Sequence, residues 1–138
     1  MFRFLKRQTP ENQLLIQELE RFQEGYRGPG IFDELVTKSA VQEILTTVKN
    51  DRSFSKETIS RGGWAAREAA YLLISEFVAS VLQSGRFHVY KGALNDEGKA
   101  YFRLYKACLG GLMKSGRFSD QEGVEQLLDM ERLIAESG

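Results

Sequence analysis

Hydrophobic positions recur at three- and four-residue spacing along most of the chain, which is the period of amphipathic helices rather than of strands. Leu15, Leu19, Phe22 and Tyr26 form the first set. Thr9-Pro10-Glu11 precedes it with a hydroxyl cap, a proline suited to the first helical position and an early acid, and together these predict a helix start. Gly25, Gly28, Pro29 and Gly30 end that helix in a turn. A second pattern runs from Ile31 to Val48, with Ile31, Phe32, Leu35, Val36, Ala40, Val41, Ile44, Leu45 and Val48 as its apolar set. Lys38 and Ser39 divide it and admit a break. Ser55 caps a short helix up to Arg61, which Gly62-Gly63 interrupts.

The segment Trp64 to Gln83 decides the architecture. Trp64, Tyr71, Val78 and Leu82 share one face, and Leu72, Leu73, Ile74, Phe77 and Val81 cover most of the others. A helix that is apolar nearly all round is buried nearly all round, so other helices must enclose it. Gly85 suits the left-handed position past its end. Arg86 to Gly92 reads as an extended, hairpin-like connection. Asn95-Asp96-Glu97 then opens a helix carrying Tyr101, Tyr105, Leu109 and Leu112 and ending at Gly116. Gly110-Gly111 inside it costs about 1 kcal/mol per glycine relative to alanine, which predicts a tight helix crossing there. Ser119-Asp120-Gln121-Glu122 is a capping box. It starts a last helix with Val124, Leu127, Leu128 and Ile134 on one side and Glu131 interrupting that face.

The expected fold is therefore all-α: a five- or six-helix orthogonal bundle around a central apolar helix, with one short extended segment near 86–92. Residues 1–138 are expected to form one helical domain with a short basic and aromatic lead over residues 1–8. Ser84-Gly85-Arg86-Phe87 recurs as Ser115-Gly116-Arg117-Phe118. Solenoids need at least three repeats. Shared helix-capping chemistry explains two copies more simply than duplication does.

Charge narrows the function classes. With 19 basic and 19 acidic residues the formal net charge is zero, which argues against nucleic acid as a partner, since phosphate binding needs a basic excess or stripe. The distribution is uneven, however. Arg3, Lys6 and Arg7 stand near the start without an acid among them. From Phe118 onward Asp120, Glu122, Glu125, Asp129, Glu131 and Glu136 face Arg132 alone. That asymmetry suits a solvated last helix, or head-to-tail attraction between copies. Phe2, Phe4 and Leu5 alternate with the basic residues, a pattern that touches an anionic membrane surface only weakly at this length. The longest apolar stretch, Tyr71 to Leu82, is interrupted by Glu76 and is shorter than the roughly 20 residues a bilayer needs.

Cys108 is the only cysteine and His88 the only histidine. No disulfide or protein-borne zinc site can be assembled from them, so neither metal nor cofactor is expected. Cys108 reads as a buried structural thiol. A reducing, cytoplasmic, bacterial-type setting is the expectation. No glycine cluster matches a phosphate-binding loop.

Glu76 is the sharpest anomaly, a carboxylate within the most apolar helix. Such a group must be paired, protonated or at a surface. A solvent-facing stripe of Glu68, Ser75, Glu76 and Ser80 accounts for it, as does an ion pair to Arg86 or Arg103. The functional alternative is a pocket carboxylate with a raised pKa, joined by Arg86, His88 and Tyr90 on one side of the extended segment and suited to an anion or a carbonyl. The first expectation remains a non-enzymatic interaction or accessory protein, binding a protein partner or itself as a homodimer. Phe2, Phe4, Trp64, Phe87 and Phe118 are its candidate interface residues, because aromatic side chains dominate such contacts. The rival is a small-molecule-binding protein or enzyme built on Glu76, Arg86, His88 and Tyr90. Peripheral membrane association through residues 1–8 is the third.

Overall fold

The structure, a computed structural model, describes residues 9–51, 59, 63–90 and 93–137. Five helices lie among them: α1 (Pro10–Gly25), α2 (Ile31–Asn50), α3 (Ala66–Gln83), α4 (Asp96–Lys114) and α5 (Asp120–Ser137). A two-stranded antiparallel ribbon, β1 (His88–Tyr90) and β2 (Ala93–Leu94), joins α3 to α4. The protein is all-α, and its helices pack as a bundle. The short helix expected from Ser55 to Arg61 falls almost wholly outside the described residues.

Helix starts follow the local chemistry. The Thr9 hydroxyl accepts from the Asn12 amide at 3.2 Å, and Pro10 fills the first position of α1. Asn95 caps α4 by accepting from the Gly98 amide at 2.8 Å. The capping box at α5 is complete: the Ser119 amide donates to Glu122 Oε1 at 2.9 Å, and the Glu122 amide donates to Ser119 Oγ at 3.1 Å.

The two Ser-Gly-Arg-Phe segments are both helix ends. Gly85 and Gly116 have φ of 79° and 84°, where a Cβ would be strained. In each, the serine hydroxyl donates three residues back, Ser84 to the Val81 carbonyl and Ser115 to the Leu112 carbonyl. At α4 the end is a full Schellman turn: the Gly116 amide donates to the Met113 carbonyl and the Arg117 amide to the Leu112 carbonyl.

α3 packs against all four other helices, and α4 packs against α2, α3, α5 and β2. Ala69, Ala70, Leu73, Ile74, Val78 and Leu82 of α3 are buried. Their partners include Leu15 and Leu19 of α1, Val36 to Val48 of α2, and Leu104 to Leu112 of α4. The crossing of α3 and α4 is tight at Gly111, where an added Cβ would stand 2.5 Å from the Tyr71 ring. Gly110 has open space instead. Only one of the two glycines therefore serves the crossing.

Four expectations need correction. α2 is continuous through Lys38 and Ser39, because Val36, Ala40 and Val41 keep one buried stripe across the polar pair. Ile31 and Leu35 do not join that core and are 84% and 62% exposed. On α5 the inward row is Gly123, Leu127, Met130 and Ile134, while Val124 and Leu128 point outward. Gly123 selects this face, since any side chain there would strike the Met113 thioether. Finally, Ser75 is not part of a solvent stripe. It is buried, and its hydroxyl donates to the Leu72 carbonyl at 2.8 Å. The exposed residues of the α3 centre are Glu76 and Ser80.

Candidate functional site

Two surface features collect the unusual side chains, and an ion pair ties α2 to α4. The ion pair joins Asp33, in the first turn of α2, to Arg103 in α4. Nε donates to Oδ1 at 2.9 Å and Nη2 to Oδ2 at 2.7 Å, while the Gly30 amide also donates to Oδ2 at 2.7 Å. Three charge-assisted bonds hold the Asp33 carboxyl below the usual carboxylate range, with the Arg103 hydrogen bonds the largest cause. Arg103 is thus committed to Asp33 rather than to Glu76. Gly28 lies against the Asp33 side chain, where no Cβ fits.

The first surface feature is a cleft of about 160 Å³ between α3, α4 and α5. Leu72 and Glu76 come from α3, Tyr105 and Leu109 from α4, Gln126 from α5, and Phe118 from the turn before it. Glu76 makes no hydrogen bond or ion pair with any described residue. Partial burial beside these apolar walls pushes its pKa up. Tyr105 is only 4% exposed. Its pKa is pushed up by burial first and by the Asp129 charge second.

The second feature is the outward face of α5. Val124 and Leu128, four residues apart, are 51% and 58% exposed and therefore form one exposed row. Glu125, Asp129 and Glu131 are exposed around them. Arg132 offsets part of this charge through ion pairs to Asp129 at 3.4 Å and Glu136 at 3.8 Å. A matching exposed row on α2 is made by Ile31 and Leu35.

The residues chosen from the sequence are distributed unevenly over these features. Phe118 and Glu76 share the cleft. Arg86 does not line it; its guanidinium lies 4.8 Å from the centroid of the adjacent Phe87 ring. His88 and Tyr90 lie in β1, and their side chains are outside the described residues. Phe87 is a core residue, with its ring 5.1 Å from that of Tyr101, so it offers no surface to a partner. Trp64 is half-buried under Arg117, whose guanidinium sits 4.3 Å over the indole. The same guanidinium donates to the Gly63 carbonyl at 2.7 Å and to Glu68 at 3.1 Å. The neighbouring Ser115 hydroxyl first, and Arg117 next, hold the Glu68 carboxyl below the ordinary range. Trp64 is therefore part of a clasp between the start of α3 and the end of α4. Phe2 and Phe4 lie outside the described residues. Cys108 is fully buried, and burial pushes its thiol pKa far up.

Sequence reasoning missed Asp33 and the exposed row of α5. A signal for Asp33 existed: it stands three residues after Gly30 at a helix start, where an acid accepts from the cap amide. Among the described residues no three His, Cys, Asp or Glu side chains gather as metal ligands, and no described helix is long and apolar enough to cross a membrane. No protein-family model, curated protein sequence or solved structure matches the chain.

Proposed function

We propose that the protein is a non-enzymatic interaction module that pairs with a second copy of itself, with residues 1–8 of one copy lying on the outward face of α5 of the other. The observation that carries this reading is the acid-rimmed apolar row of Val124 and Leu128. Its complement in chemistry is present in the same chain. Phe2, Phe4 and Leu5 match the row, and Arg3, Lys6 and Arg7 match Glu125, Asp129 and Glu131. α1 begins beside the end of α2, where the Asn12 amide group donates to the Val48 carbonyl at 2.8 Å. α5 packs on α4, α3 and β2, so exchange between copies is the simpler route to its outer face.

Energetics favour a reciprocal pair. Burying two phenylalanines and a leucine contributes about 1.5–3 kcal/mol each, while association costs on the order of 4–15 kcal/mol. One lead barely offsets that cost. Two exchanged leads contribute about 9–18 kcal/mol, which offsets most of that range, and they close a symmetric dimer with no free end to propagate.

Light scattering of the full chain at micromolar concentration tests the proposal. A dimer is expected. Deletion of residues 1–8 and Leu128→Asp should each give a monomer, and raising salt from about 0.1 to about 1 M should weaken the pair by screening its charges. A full-length chain that stays monomeric refutes the reading. So does a dimer indifferent to the deletion. If the monomer instead sediments with anionic vesicles through residues 1–8, membrane association replaces it.

A further inference from the structure

We infer that the cleft between α3, α4 and α5 binds a small primary amine, an ammonium group carried on an apolar body about the size of a six-membered ring.

Size comes first. The cleft holds about 160 Å³, close to the roughly 150 Å³ at which an apolar protein cavity accepts benzene. Leu72, Leu109 and Phe118 provide apolar wall, so one face of a ligand is desolvated there. Polar groups are few and are spared by the fold. The Glu76 carboxylate, the Tyr105 hydroxyl and the Gln126 amide make no hydrogen bond with a described residue. Tyr105 is more than nine-tenths buried yet lines the cleft.

Charge then selects the ligand class. The two acids at the site are Glu76, in its wall, and Asp129, whose charge acts on the Tyr105 hydroxyl. Arg132 turns toward Asp129 and Glu136 on the outside of α5, and Arg103 is held by Asp33. Among the described residues Glu76 has no counter-charge, and burial disfavours its ionised form. An ammonium supplies what is missing: a charge-assisted hydrogen bond to Glu76, further bonds to Tyr105 or Gln126, and attraction to the faces of Tyr105 and Phe118. An anion meets Glu76 and is repelled. A neutral alcohol fills the space without satisfying the carboxylate. The cleft is separate from the outward row of α5, so the inference stands independently of self-association.

Benzylammonium and its neutral analogue benzyl alcohol are the probes, titrated into the ¹⁵N-labelled full chain. For a ligand of this size a dissociation constant on the order of 1 mM is expected. Amide shifts should concentrate around residues 72–79, 105–109 and 118–126. Benzyl alcohol should bind about tenfold more weakly, the loss of one charge-assisted bond. Glu76→Gln should weaken benzylammonium by about tenfold and leave benzyl alcohol unchanged. Glu76 is exposed on one side, so this variant keeps its fold, and an unaltered melting temperature confirms that. Tyr105→Phe gives a second reading, with a smaller loss. Equal affinity of benzylammonium for the wild type and Glu76→Gln overturns the proposal. Shifts confined to other surfaces, or no saturation at high millimolar ligand, overturn it too.

Discussion

Asp33 and Arg103 face each other through two parallel hydrogen bonds of 2.9 and 2.7 Å, seventy positions apart in the chain. The pair ties the first turn of α2 to the middle of α4. Asp33 is 1% exposed and Arg103 34%, so the acid depends on the base for its solvation. Arg103→Met should lower stability by roughly 2–3 kcal/mol. That is below the range for fully buried pairs, because the guanidinium side is reached by water. Arg103→Lys should recover only part of it, since an ammonium cannot bridge both oxygens. Urea unfolding of the three proteins measures this. Equal stability of all three rules out the pair as a structural tie.

Acid sensitivity should follow from the same contact. The folded-state pKa of Asp33 is depressed. Its contribution is therefore fully present above the unfolded value, about 3.9, and is lost as pH falls through the lower folded value. Stability of the wild type should drop below about pH 4, and the drop should be shallower in Arg103→Met. Parallel pH profiles for the two proteins contradict the assignment.

Gly110 and Gly111 should respond to alanine with opposite signs. Both gain up to about 1 kcal/mol of helix propensity. Gly110 has nothing near its Cβ position, so Gly110→Ala should stabilise. Gly111→Ala drives a methyl into the Tyr71 ring and should destabilise by about 1–3 kcal/mol. Tyr71→Leu in the same chain should relieve much of that cost. Melting curves of these three variants and the wild type decide it, and a stabilising Gly111→Ala would mean the crossing has slack.

The repeated Ser-Gly-Arg-Phe segment should split under mutation. Arg117 bonds Glu68 and Gly63 and covers Trp64. Among the described residues, the Arg86 side chain stacks on Phe87 alone. Arg117→Ala should cost about 1–2 kcal/mol and shift the tryptophan emission. Arg86→Ala should stay within about 0.5 kcal/mol of wild type. Indistinguishable variants would show that the clasp adds nothing.

Cys108 should be silent toward a thiol reagent in the folded protein. Burial disfavours its thiolate, the reactive form. Labelling by an aromatic disulfide should proceed only at the rate of unfolding and accelerate in urea. Rapid labelling in native buffer would place the thiol at a surface.

Features written in three to five adjacent residues were legible beforehand. The Thr9 cap, the Ser119 capping box, the two glycine-ended helices and the hairpin-like link before Asn95 each follow from local bonding. The enclosure of α3 was legible too, because its apolar residues leave little room for a wet face. The choice between faces was not. On α5 the row of Val124 and Leu128 and the row of Leu127, Met130 and Ile134 have equal claims from spacing. A glycine meeting a methionine from another helix settles the matter. From the sequence Arg103 reads as a partner for Glu76, and only the three-dimensional course of α2 brings Asp33 to it. The cleft was half legible: Glu76 stood out, but Tyr105, Phe118 and Gln126 reach it from elements whose packing no periodicity encodes.

The ribbon between α3 and α4 has a kinetic meaning. Only a dozen residues separate the end of one helix from the start of the next, and the amide of Asn95 already returns to the carbonyl of Phe87. Bringing these two helices together closes a short stretch of chain at small entropic cost. The α3–α4 contact is thus expected early in folding, and φ values above about 0.5 for core substitutions along it would show this.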